Sequence, residues 1–293
     1  MNLNDIKYKI IFNSLKQLAR LPHSVRYKGI GDMVNLVLRS SGYRQEVIRG
    51  NIKRVFPNLE YNNVIKLEQL FYKELAETIV DIISMCGISD RQILAQMRYT
   101  NYQEVESQMK GQSWISAMAH YAMWEYVANY ALLTDHQVIA AYHRLSNSMF
   151  DRMMKQIRNR FGTIPVESNQ LVKRIASEYQ KKPMIIGIIA DQVPPNYPST
   201  RWFKFLGQDT KFFMGLGRIA TKYHLPVYFL DIDKIKPGYY QGTFDLIYSG
   251  KESASAEEIT ARYVQKLESM IIRRPELWLW SHRRWKYDRN EIG

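Results

Sequence analysis

The chain has one cysteine, Cys86, in 293 residues. A lone thiol excludes an internal disulfide and fits a reducing compartment. With no His or acidic pattern around it, Cys86 reads as a small core residue. No apolar run approaches the roughly 18 residues that would span a bilayer. A cleaved signal peptide is not expected, because Lys and Asn interrupt the N-terminal apolar positions before an apolar core region forms. Low-complexity tracts, long Gly/Ser linkers and obvious repeats are missing too, which leaves one folded domain with a helical N-terminal portion. Acidic residues are in deficit: 41 Lys and Arg stand against 28 Asp and Glu, a formal net charge of +13. Such a charge is drawn to polyanions: nucleic acid, an anionic membrane leaflet or an acidic carrier protein.

Aromatic residues are plentiful, with 20 Tyr, 11 Phe and 6 Trp, which suits a large core and an interfacial surface equally well. Near the N-terminus Tyr8, Ile11, Phe12, Leu15 and Leu18 share one broad helical face, with Lys7, Lys9, Lys16 and Arg20 flanking or opposing it. Such a helix either lies in an anionic interface or packs on the domain as its first helix. Residues 1–60 therefore read as an amphipathic, membrane-associating helical region, and 61–293 as a single α/β domain. From Asn62 onward Val64, Leu67, Phe71, Leu75, Ile79 and Ile82 recur at helical spacing until Gly87 ends the run.

Beyond Gly87 the period changes. SWISAMA, HQVIAAYHRL, MIIGIIA and LPVYFLDI are short β-prone segments, separated by helical patterns near 121–133, 148–161 with 168–179, and 209–223, and followed by another at 256–273. This alternation predicts an α/β fold: a mostly parallel central sheet covered by helices on both faces. Functional groups collect at the carboxyl ends of the strands in such sheets.

His120 ends the SWISAMA strand, and Glu125 follows five residues later. On one continuous helix the two would point roughly 140° apart. With His120 on the turn and Glu125 in the next helix, the carboxylate reaches back to one imidazole nitrogen and leaves the other as a base toward an alcohol. Asp191 ends the MIIGIIA strand and is likewise placed for function, while also suiting a turn before Pro194-Pro195, and Gln192 reads as its structural neighbour. No second ligand stands at metal spacing beside His120, so no metal is expected. In the C-terminal stretch Trp278 to Lys286, Trp280, Arg283 and Arg284 interleave aromatic and cationic groups, suited to single-stranded nucleic acid or a membrane interface. Arg201, Lys204 and Lys211, with Trp202, Phe203 and Phe205, form a second such stretch.

These residues resemble a known family. HYAMWE is similar to the His-Phe-Gly-Asn-Trp-Glu motif of the bacterial lipid A biosynthesis (lauroyl/myristoyl) acyltransferases, within the glycerolipid acyltransferase-like superfamily. Four more segments follow the family pattern in order around it: GYRQEVIRGNIKRVFPNL, YHRLSNSMFDRMMKQIRNRFG, IIADQVPPN and RRPELWLWSHRRWK, so the resemblance runs from about residue 40 to 286. Ala122-Met123 replaces the usual Gly-Asn, and His143-Arg144 replaces Arg-Pro, which opens the question of acceptor identity more than that of reaction type.

The resemblance implies transfer of a fatty acyl chain from an acyl carrier protein thioester to a hydroxyl of a lipid A precursor. A lysophospholipid or aminolipid is the alternative acceptor. It makes His120 the general base, Glu125 its orienting carboxylate, Arg158 and Asp191 substrate-binding or charge-stabilising groups, and Arg160, Trp280, Arg283 and Arg284 contacts to substrate or membrane. Asp151, seven residues before Arg158, would steady it. The expected partners are acyl carrier protein, anionic membrane lipid and the lipid acceptor, with no nucleic acid and no cofactor beyond the thioester co-substrate. The long apolar N-terminal anchor of many relatives is missing, so the expected location is peripheral, on the cytoplasmic face of the bacterial inner membrane.

Overall fold

The computed structural model describes residues 3–194, 200–287 and 289; Pro195 and Asn196 of the IIADQVPPN segment fall outside them. The N-terminal portion comprises α1 (Leu3–Ala19), a π-helical turn (Val25–Gly31), α2 (Asp32–Ser40) and α3 (Gln45–Val55), all packed on the long α4 (Tyr61–Met85). Then come α5 (Asp90–Gln96), β1 (Met97–Tyr99), α6 (Tyr102–Gln108), β2 (Trp114–Met118), a 3-10 helix (Trp124–Leu132), β3 (Gln137–Tyr142), α7 (Ser148–Arg160), β4 (Ile164–Glu167), α8 (Ser168–Glu178) and β5 (Met184–Ile189). A hairpin of β6 (Thr200–Phe205) and β7 (Gln208–Phe213) precedes α9 (Gly215–Tyr223), β8 (Val227–Lys236), β9 (Tyr239–Tyr248), α10 (Ala256–Arg273) and a 3-10 turn (Pro275–Leu277).

Seven strands form the central sheet in the order β1-β9-β8-β2-β5-β3-β4. Every pairing is parallel except β8 with β9. The expected α/β class and mostly parallel sheet are therefore present, with helices flanking the sheet. β2 is buried along its whole length and β5 along most of it, which is why both read as unbroken apolar runs. Among the helices, α10 starts with a capping box in which Ser255 and Glu258 satisfy each other's backbone amides.

Two sequence expectations change. The helix expected over 209–223 begins only at Gly215, because 208–213 pairs antiparallel with β6. The helix expected over 121–133 is a turn followed by a 3-10 helix that starts at Trp124. In α1 the core face is formed by Tyr8, Phe12 and Ala19, with Leu15 partly buried, whereas Ile11 and Leu18 stay exposed beside Ile6 and Ile10.

Candidate active site

His120 lies two residues beyond the end of β2, and Asp191 two beyond the end of β5. These strands are parallel neighbours with Met118 opposite Ile189, so the register carries the two side chains to the same end of the sheet. The His120 Nδ1–H donates to Asp191 Oδ1 at 2.7 Å, and the His120 backbone N–H donates to Oδ2 at 3.0 Å. A carboxylate accepts only, so Nδ1 carries a proton, and the neutral imidazole is the tautomer whose lone pair lies on Nε2. Trp278 adds an indole N–H to Asp191 Oδ2 at 3.0 Å. Burial pushes the Asp191 carboxyl upward, but the positive charge His120 carries when protonated, together with the hydrogen bonds from His120 and Trp278, outweighs it and holds the group below its usual range.

The His120–Glu125 hydrogen bond expected from the sequence is not formed. Glu125 instead meets Arg158 side-on: Nε donates to Oε2 at 2.9 Å and Nη2 to Oε1 at 2.5 Å. The reason is geometric. The turn after His120 directs Glu125 toward the C-terminal part of α7, and Asp191 has already taken the imidazole nitrogen. Asp151 directs its own hydrogen bonds elsewhere, accepting from Lys155 and from the Leu145 backbone N–H, and favours the charged Arg158 only through its negative charge, behind Glu125. Trp124 links the two pairs, with its ring edge-on to His120 at 5.1 Å and its backbone joined to Glu125.

The 3-10 helix that carries Glu125 is anchored by Tyr126, whose hydroxyl donates to Asp81 of α4 at 3.0 Å. Tyr240 and Tyr27 also donate to Asp81. Burial raises the Asp81 carboxyl to about 6 against these three hydrogen bonds.

Two of the anticipated surface groups prove to be internal. Trp280 is fully buried and donates its indole N–H to the Pro275 carbonyl. Arg284 is 1 % exposed, stacks over the Phe212 ring at 4.3 Å and donates to the Lys211 carbonyl, with its Nε and Nη1 left without partners. Neither can touch a membrane as placed. Arg160 donates to the Met85 and Ile88 carbonyls at the end of α4, so it ties two helices together. Arg283 remains exposed. In the second aromatic-basic stretch Lys211 is buried against the Trp202 ring, and Lys204 pairs with Asp209.

What the aromatic-basic C-terminal segment does instead is strap the site. Trp278 forms an antiparallel bridge with Tyr121, the Leu279 N–H donates to the His120 carbonyl at 3.2 Å, and the Ala122 N–H donates to the Leu277 carbonyl at 2.9 Å. On its other side His282 Nε2 accepts from the Val193 backbone N–H at 3.0 Å. Burial drives the His282 imidazole down to about 4, which keeps it neutral and able to accept. Asn51 of α3 in turn donates to the Trp280 and His282 carbonyls. The role of His282 was invisible in sequence because its contact is to a backbone amide, which no spacing signals.

Ala122 adopts φ 50°, in the left-handed region where the family motif places glycine, and both Ala122 and Met123 are buried. At this departure from the motif an L side chain thus sits in a backbone conformation that favours glycine. Ala122→Gly is expected to be neutral or to stabilise by up to about 1.6 kcal/mol. A left-handed Cβ costs about 1–2 kcal/mol, and the added freedom of the unfolded chain returns about 0.4–1 kcal/mol. Urea denaturation decides it: a loss above about 1 kcal/mol would remove strain at this turn from consideration.

Beneath Glu125 and Arg158 lies an apolar pocket between the sheet and the 3-10 helix, lined by Met118, Ser116, Val127 and Ile189, with Trp114 and Phe244 among its walls. Met118 is the β2 residue nearest His120 and Trp114 the farthest, so the pocket runs inward from the catalytic end of the strand. At about 60 Å³ it has room for only a few water-sized groups as it stands. Among the described residues, no group of three or more His, Cys, Asp or Glu is arranged to hold a metal ion.

A search of curated proteins finds no match to the chain. Residues 7–287, nearly the whole length, match the family described as Bacterial lipid A biosynthesis acyltransferase, and the chain belongs to that family.

Proposed function

We propose that this acyltransferase moves a fatty acyl chain from an acyl carrier protein thioester to a hydroxyl of a lipid A precursor, with His120 as general base and Asp191, not Glu125, as its orienting carboxylate. The observation that carries this reading is the His120–Asp191 pair at the sheet's carboxyl end, which ties the imidazole through Nδ1, while the strand leading to it lines an apolar pocket with Met118. In the reaction the acceptor hydroxyl oxygen attacks the thioester carbonyl while its proton passes to Nε2. The tetrahedral intermediate then collapses, the C–S bond breaks, and the leaving thiolate takes that proton back. No acyl-enzyme is required, because the thioester is already activated and both substrates are held together.

Asp191 fixes the tautomer and stabilises the imidazolium as it forms. Arg158, held rigid by Glu125, supplies positive charge at the pocket mouth for the oxyanion or a phosphate. The apolar pocket takes the acyl chain.

We place the protein peripherally on the cytoplasmic face of the inner membrane, a reading that the exposed apolar side chains on a basic surface support. Among the described residues, no helix is long and apolar enough to cross a membrane. Ile6 and Ile10 on α1, and Met33, Leu36 and Val37 on α2, are exposed apolar side chains on a strongly basic protein. α1 also braces α7, the helix bearing Arg158: Arg152 pairs with Asp5 at 2.7 Å and stacks on Tyr8 at 4.1 Å. An apolar, cationic face beside the site lets a lipid acceptor pass from bilayer to base without crossing bulk water.

Lipid mass spectrometry of cells with and without the gene tests the acceptor. A lipid A species short of one acyl chain, restored by the wild-type gene but not by His120→Ala, is the expected result. Unchanged lipid A with an altered phospholipid or aminolipid would move the reaction to a different acceptor.

A further inference from the structure

After Asp191 the chain turns the side chain of Gln192 back over the imidazole, and Gln192 Nε2 stands 3.4 Å from His120 Nε2. With the imidazole proton on Nδ1, the amide is the donor and the lone pair of Nε2 the acceptor. The turn that presents Gln192 is fixed on both sides by the C-terminal strap, through Trp278 to Asp191 and through His282 to the Val193 amide. An imidazole nitrogen has one in-plane lone pair, so Gln192 and an acceptor hydroxyl cannot use it together. A nitrogen-to-nitrogen separation of 3.4 Å also exceeds the usual range of strong hydrogen bonds, so a hydroxyl held against the base by the rest of a bound acceptor displaces the amide cheaply, whereas a free water has no such contacts to hold it there.

We propose that Gln192 is a cap on the base, occupying His120 Nε2 until the acceptor displaces it and so keeping water from using the base to hydrolyse the bound thioester. This rests on the acyl-transfer reading above. The difficulty it answers is general to direct transfer: the thioester is reactive, water is present at high concentration, and a base serves either nucleophile. Gln192 acts through His120 as a positioning residue. The released amide is then free to bond a polar group of the acceptor next to the reacting hydroxyl.

The test compares thioester hydrolysis without acceptor with transfer when acceptor is present, using a long-chain acyl thioester of acyl carrier protein. Gln192→Ala should raise acceptor-free hydrolysis roughly three- to tenfold, the worth of one neutral hydrogen bond, and lower the ratio of transfer to hydrolysis. Gln192→Met, similar in volume but without the amide, should do the same, which separates loss of the cap from a packing defect. Adding His120→Ala should abolish the extra hydrolysis. Unchanged hydrolysis in both Gln192 variants, or transfer and hydrolysis falling together, overturns the cap while His120→Ala remains inactive. Turnover that does not depend on His120 in the wild-type chain would overturn the acyl-transfer reading along with it.

Discussion

His120→Ala is expected to lower acyl transfer by roughly 10²–10⁴, the usual worth of a positioned base, and to cost some stability as well, because Asp191 is 2 % exposed and loses its imidazole partner. Asp191→Asn is expected to be of similar severity, up to about 10⁴, since an asparagine in that place favours the wrong tautomer while preserving shape. The two act as one unit, so the double variant should be no worse than the poorer single one. Measured kcat and kcat/KM with an acyl thioester and a lipid A precursor decide the matter. An Asp191→Asn enzyme within tenfold of wild type would show that the 2.7 Å contact does not orient the base. A His120→Ala enzyme that retains more than a tenth of its activity would remove general-base catalysis by this residue.

Glu125→Ala should be the most destabilising single change at the site. Glu125 is 8 % exposed and the Arg158 side chain 17 %, so truncation strands a guanidinium in a largely dry environment at a cost of about 3–5 kcal/mol. For a chain of this length that corresponds to a fall in Tm of roughly 6 °C or more. Replacing the pair together, as Glu125→Leu with Arg158→Met, should recover most of the loss, because two apolar groups need no compensation. Activity should not recover with it if Arg158 serves the reaction. Arg158→Lys keeps the charge but not the side-on pairing, and should fall between. A Glu125→Ala protein within about 1 kcal/mol of wild type would show that the pair is hydrated rather than buried.

Much of the architecture was legible in sequence because the strands of a covered parallel sheet are unbroken apolar runs and their crossover helices carry a helical period. β2, β3, β5 and β8, and the helices α4, α7, α8 and α10, lie close to where those patterns put them. β9 was missed although Pro237-Gly238, with Gly238 at φ +74°, marks the hairpin that leads into it. The β6–β7 hairpin is hidden in a similar way: Phe212 falls in helical register with Leu216 and Ile219, although Gly207, at φ +76°, marks the turn between the two strands.

At the site, the position of His120 at a strand end was readable, but its partner was not. Local spacing favoured Glu125, five residues away, whereas strand register delivers Asp191 from 71 residues away. Register between non-consecutive strands is a long-range property, and one sequence carries no direct record of it. The C-terminal segment misled for a related reason. Interleaved Trp and Arg look the same whether they meet lipid or pack inward, and Arg284 lies in the interior beside Phe212 and Phe205.

The strap has a consequence for the order in which the enzyme becomes competent. All strands of the main sheet lie between Met97 and Tyr248, and His120, Glu125, Arg158 and Asp191 lie in the same span. A nascent chain that has reached Arg273 thus possesses every proposed reacting group. It still lacks the indole N–H on Asp191, the imidazole under Val193 and the backbone bonds across residues 120–122. The final stretch therefore completes the shell around His120 and Asp191, and a chain ended at Arg273 is expected to carry every proposed reacting group without the contacts that hold them in place.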